Sequence, residues 1–207
     1  MNHPPDHIII EKTLGGDVNA FAILVDRYKQ LVFTLTIRMI KQREEAEEIA
    51  QDVFLKAFQK LQSFKGDSKF STWLYRITYN ACLDALSRKR NSPTHHAYEI
   101  HDNVLSLTTP EIEAQIDAQY ERAEVVQCIA LLPQADAFLI TLYYLHEQSL
   151  EEIAQIIGLT KNNTKVKLFR IRKKLFIIMQ SRLPQEIKMR YEKWARASLG
   201  QMECQAH

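Results

Sequence analysis

The 207-residue sequence contains only five glycines and six prolines, a scarcity that excludes collagen-like repeats and linker-rich, low-complexity chains and favours helix. No apolar run reaches the roughly 18 residues of a membrane span. The opening Met1-Asn2-His3-Pro4-Pro5 lacks the basic-then-apolar order of a secretory signal. A cytoplasmic protein without direct membrane insertion is therefore expected. Cysteines are few, odd in number and far apart: Cys82, Cys128 and Cys204 form no C-x-x-C pair, which argues against a disulfide framework or zinc knuckle and for free thiols. Enzymatic signatures are missing too, with no Gly-rich phosphate loop, metal-binding His-Glu motif or nucleophile elbow. His95, His96 and His101 lie among turn-forming residues and read as solvated. No catalytic residue, metal or cofactor is expected. What remains is a globular composition, 46% hydrophobic and 25% charged, in a chain long enough for one large domain or two small ones.

The net charge of +2 conceals blocks of opposite sign. Residues 111–160 hold nine acids and one base, whereas residues 161–182 hold eight bases and no acid. A smaller contrast comes earlier, where Glu44, Glu45, Glu47, Glu48 and Asp52 precede a stretch, 53–90, of eight bases and two acids.

Apolar residues recur at helical spacing from Phe21 to Met39, after a capping Asp17, and again from Ala46 to Leu61, where the outer face is acidic. The segment Ser63 to Ser71 breaks the period with small, polar and glycine residues, and helical spacing resumes from Thr72 to about Arg88. Residues 91–110 have weak periodicity, Pro93 and Pro110, and read as a linker between domains. Twenty extended residues reach roughly 66 Å, or about 19 base-pair steps. Beyond it, two helices interrupted near Pro133 are followed by Ser149-Leu150-Glu151-Glu152, a capping box. Its helix ends at Gly158, and Thr160 caps the basic helix. The predicted fold is all-α: two small helical domains joined by a flexible linker, spanning 1–90 and 111–182, with a tail at 183–207. Within that tail, Ile187, Tyr191 and Trp194 suggest a short amphipathic helix.

A short helix, a glycine turn and a capped basic helix form the sequence pattern of a helix-turn-helix, whose second helix enters a major groove. Lys165, Lys167, Phe169 and Arg170 are candidates for groove or phosphate contact, while Leu168, Ile171 and Leu175 read as core. The loop from Ser63 to Thr72 interleaves Phe64, Lys65, Lys69 and Phe70 with small residues, chemistry that suits unstacked bases. The competing reading has Phe64 and Phe70 pinning that loop to the core. The acidic face around Gln51 and Asp52 is either solvated or a dock for a basic partner.

The run Gln51 to Phe58, the stretch Phe64 to Ile77 with Asn80, Leu132-Pro133, Ser149 to Gly158 and Lys165 to Leu175, in this order and spacing, resemble a bacterial sigma factor of the extracytoplasmic-function group. The resemblance covers roughly residues 10–180. It implies a non-catalytic initiation factor that binds core RNA polymerase and promoter DNA. It implies polymerase contacts by Glu48, Gln51, Asp52, Leu55 and Lys56 on the clamp coiled coil of the largest subunit, and a second contact at the flap region. Recognition of the −10 element would fall to Phe64, Lys65, Gly66, Asp67, Ser68, Lys69, Phe70, Ser71, Thr72 and Asn80. Recognition of the −35 element would fall to Asn162, Asn163, Lys165, Val166, Lys167, Phe169, Arg170 and Lys173. The linker would thread near the active-site channel, and an anti-sigma factor is a possible partner. Two departures stand out: Asn163-Thr164 replaces the common Thr-Val, making a usually apolar position polar, and Arg76-Ile77 stands where primary sigma factors carry a melting aromatic pair. The main alternative is a stand-alone helix-turn-helix regulator that binds duplex operator without polymerase.

Overall fold

The computed structural model describes residues 4–91 and 123–183, together with Met189. Almost all of the predicted linker, the histidines in it, Cys204 and the aromatic spacing of the tail lie outside the described residues. Among the described residues the chain is helical without strands.

The first body is built on three long helices, α2 (Phe21–Ile40), α3 (Arg43–Gln59) and α4 (Phe70–Asn91). Leu24, Val32, Leu35 and Met39 of α2 recur at helical spacing and are buried against Ala46, Val53 and Ala57 of α3 and Leu74 and Cys82 of α4. Small residues on α3 let it lie close to α2. Asp17 does cap, but through a short 3₁₀ turn, Val18–Ala20, accepting from the Ala20 amide before α2 begins. Lys41, at φ 62°, ends α2 in the left-handed conformation. Glu44 and Glu45 occupy the first turn of α3, where carboxylates favour the helix dipole.

An additional helix, α1 (Asp6–Leu14), packs Ile9 and Ile10 onto this body. Asp6 anchors it by accepting from the Tyr28 hydroxyl at 2.6 Å and pairing with Arg27, whose other nitrogen donates to the Pro4 carbonyl at 2.7 Å. Burial, then the Asp6 carboxylate, push the Tyr28 phenol well above its usual range.

The second body comprises α5 (described over 123–130), α6 (Gln134–Tyr144), α7 (Leu150–Ile157) and α8 (Lys161–Arg182). Pro133 starts α6, where its missing N–H costs nothing. The capping box forms as predicted: the Ser149 hydroxyl accepts from the Glu152 amide at 3.2 Å, and the Ser149 amide donates to the Glu152 carboxylate at 2.8 Å. Gly158 turns the chain at φ +71°, and the Thr160 hydroxyl accepts from the Asn163 amide to open α8. The two bodies are in contact, α2 and α4 packing against α6 and α7.

Candidate nucleic-acid interface

Three exposed surfaces contain the residues singled out from sequence. On α3, Glu48, Gln51, Asp52 and Leu55 share one outward face at three- and four-residue spacing, with Lys56 half-buried beside them. Leu55 is 60% exposed and Phe58, one turn further, 38%. The face is therefore acidic with an apolar strip, a mixture suited to docking on a protein.

The second surface is the loop before α4. A 3₁₀ turn, Leu61–Ser63, leads into it, and Gly66, at φ +80°, reverses the chain. Both ends are fixed by an aromatic cluster: Phe64 lies 5.7 Å from Phe70 and 5.3 Å from Trp73, Phe70 lies 5.6 Å from Trp73, and Tyr28 closes on Phe70 at 5.6 Å. Lys65, Gly66, Asp67 and Lys69 consequently stand exposed on a supported arch, with Ser68 and Ser71 half-buried. Phe70 is 3% exposed and Thr72 2%, so both side chains pack into the core beneath the arch. Phe64 is half-buried and shares the anchoring role. Asn80 is exposed on α4, and Arg76, one turn earlier on the same face, is exposed as well. No role was assigned to Arg76 from sequence, although its four-residue spacing from Asn80 places the cation beside it.

The third surface is α8, where the eight candidate residues divide into two rows. Asn163, Val166, Lys167 and Arg170 line an open groove of about 540 Å³ together with Asp136, Leu159, Ile171 and Lys174. Asn162, Lys165, Phe169 and Lys173 form the neighbouring row, Lys165 and Phe169 being half-buried. The basic stripe is also less uniform than its sequence. Arg172 turns inward, its guanidinium 4.8 Å from the Tyr143 ring centre and 5.4 Å from that of Tyr144, a cation–π packing role. Lys174 donates to the buried Asp136 carboxylate at 2.8 Å, and Lys161 pairs with Glu151. Lys165, Lys167, Arg170 and Lys173 form no ion pair among the described residues and remain available to phosphate. The polar departure at Thr164 is resolved locally: the side chain is fully buried, and its hydroxyl donates to the Thr160 carbonyl at 3.0 Å. Leu168, Ile171 and Leu175 are buried as expected.

Among the described residues no group of His, Cys, Asp and Glu is placed to hold a metal ion, and no helix is long and apolar enough to cross a membrane. Cys82 and Cys128 are buried free thiols, and burial pushes that of Cys82 up to about 12.

The family described as Sigma-70 region 2 matches residues 24–92, and Sigma-70, region 4 matches residues 122–175. The chain is 33% identical over 178 residues to the ECF RNA polymerase sigma factor SigW of Bacillus subtilis, covering 80% of this chain and 92% of that protein. It is 34% identical over 173 residues to the ECF RNA polymerase sigma-E factor of Escherichia coli K12, covering 81% and 90%. Two solved structures share the fold. CnrH in complex with the cytosolic domain of CnrY has a TM-score of 0.60 at 22% identity, covering 85% of this chain and 97% of that one. The sigma factor RpoE in complex with the anti-sigma factor NepR from Bartonella quintana has a TM-score of 0.61 at 18% identity, covering 77% and 96%.

Proposed function

Because the chain belongs to the ECF RNA polymerase sigma factors, we propose that its three surfaces divide the work of promoter recognition. The α3 face, Glu48, Gln51, Asp52 and Leu55 with Lys56 at its edge, docks on the clamp coiled coil of the largest polymerase subunit. The arch Lys65 to Ser71, with Asn80 and Arg76 behind it, takes an unstacked base and the adjoining phosphates of the −10 element. Phe64, Phe70 and Thr72 hold that arch in shape. The groove row of α8 reads the −35 element, and the neighbouring row, Asn162, Lys165, Phe169 and Lys173, follows the backbone.

The domains divide as 1–90 for docking and −10 recognition, 91–110 as linker through the active-site channel, 111–182 for −35 recognition and the flap contact, and 183–207 as tail. The chemistry of transcription belongs to the polymerase, and this chain works in the cytoplasm without a cofactor or metal. An anti-sigma factor is its natural antagonist.

The observation that carries this reading is the segregation of surfaces. An acidic, partly apolar face suited to protein and two basic faces suited to nucleic acid occupy separate elements of one chain. Asp52→Arg tests the docking assignment, since Asp52 is exposed and its replacement leaves the core intact. Co-purification with core RNA polymerase should fall at least tenfold at an unchanged melting temperature; undiminished co-purification would remove α3 from the dock.

A further inference from the structure

We propose that Asp136 sets the selectivity of the α8 groove by holding Lys174 off the DNA backbone, so that of the three cations lining this groove only Lys167 and Arg170 are free to meet DNA. The inference rests on the assignment of α8 to the −35 element.

A surface that binds DNA through phosphate has no use for a carboxylate, yet one lines this groove. Asp136 stands in the first turn of α6, where the helix dipole favours a carboxylate, and shares the groove with Asn163, Lys167, Arg170 and Lys174 of α8. The Lys174 ammonium lies 2.8 Å from its Oδ2, an ion pair that joins two helices across 38 residues of sequence. The Asp136 side chain is only 12% exposed, against 53% for Lys174.

That asymmetry decides what DNA can do to the pair. In the Lys161–Glu151 pair at the start of α8 both side chains are more than half exposed, so water replaces either partner at little cost. Asp136 has no such recourse. Drawing Lys174 away would leave a carboxylate mostly out of water and without its counter-charge, which is the costly way to break an ion pair. Lys174 therefore stays on Asp136 when DNA arrives.

The arrangement discriminates between sequences. Non-specific binding is carried by the phosphate backbone and grows with each lysine or arginine that reaches it. A lysine held by a buried carboxylate adds nothing to it. In a misplaced register a phosphate comes over the floor of the groove and meets Asp136, whereas the base edges of a correctly seated major groove bring no net charge there. Asp136 thus lowers affinity for random sequence more than for the −35 element.

The test uses holoenzyme reconstituted from the full chain and core RNA polymerase. Its binding is measured over a salt series to a promoter duplex selected by run-off transcription from a random library, and to a random-sequence duplex of equal length. Asp136→Asn keeps the side chain's shape and frees Lys174. Affinity for random sequence should rise at least about threefold and its salt slope steepen by about one, because one more cation reaches phosphate. Promoter affinity should change less, so the promoter-to-random ratio falls. Lys174→Ala leaves the carboxylate bare, and promoter affinity should drop about tenfold. Removing both charges in D136N/K174A should bring it back to within about threefold of the parent chain. Core polymerase contributes equally to every variant, so the differences belong to the groove. An unchanged slope or ratio in D136N, or a double variant as weak as K174A, would overturn the proposal, the last being the mark of a lysine that contacts phosphate directly. R170A, measured alongside, separates the two possible failures. Weakened promoter binding in R170A with an unchanged D136N slope overturns this inference alone, while an unaffected R170A overturns the −35 assignment and the inference with it.

Discussion

In the arch before α4, Lys65 and Lys69 stand on irregular backbone whose ends are gripped by Phe64, Phe70 and Trp73. In α8, Lys167 and Arg170 stand on a regular helix opened by the Thr160 cap and preceded by the Gly158 turn. The charges have the same sign, but the supports differ. A helix fixes its side chains at a spacing that fits the groove of an intact duplex. An arch with a glycine at its crown presents backbone and short side chains to a base that has left the stack. The kind of DNA each surface suits thus follows from backbone form more than from charge.

Removing the arch's support is the harshest way to break that contrast. Phe70→Ala deletes a buried ring with three aromatic neighbours and should cost about 3–5 kcal/mol of stability, measured by urea denaturation. On α8 the two rows should separate by experiment. Arg170→Ala, in the groove, should weaken −35 recognition by about 1–3 kcal/mol and relax its sequence preference. Lys165→Ala, in the neighbouring row, should weaken binding uniformly and lower the salt slope by about one. Both are measured by transcription or DNA binding of the holoenzyme over a salt series.

A smaller loss is expected from Gly158→Ala. Its added methyl meets nothing within 4 Å, so the cost is backbone strain alone, about 1–2 kcal/mol in thermal denaturation. The smallest effect concerns pH. Burial lowers the titration of His146, in the turn between α6 and α7, below its ordinary value of 6.5. The unfolded chain then binds the proton more readily, so stability is present above pH 6.5 and falls as pH drops below it. Its slope is a fraction of the about 1.4 kcal/mol per pH unit of a full proton, because His146 keeps contact with water. His146→Gln should flatten the fall in melting temperature between pH 6.5 and 5.

Much of this organisation was legible before any coordinates. Helical spacing in α2, α3 and α8 and the Ser149–Glu152 box are local signals, and the structure reproduces them. Helix α1 was not found, because Ile8, Ile9 and Ile10 in succession show no helical period and its stability comes from Asp6 meeting Arg27 and Tyr28 far along the chain. The burial of Phe70 and Thr72 is hidden from the sequence for a related reason: loop composition does not reveal which side chain turns inward. Arg172 looked like one more cation in the stripe until Tyr143 and Tyr144 gave it a buried partner surface. Contact between the bodies, of α2 with α6 and α4 with α7 and including Tyr79 against Phe138, joins residues far apart in the chain, a pairing no local pattern encodes.

The most direct test of the account is the binding of a promoter duplex, selected by run-off transcription, to the purified chain with and without core RNA polymerase. The account predicts sequence-specific binding only when polymerase is present. Submicromolar, specific binding of the duplex by the chain alone, with a symmetric footprint, would contradict it.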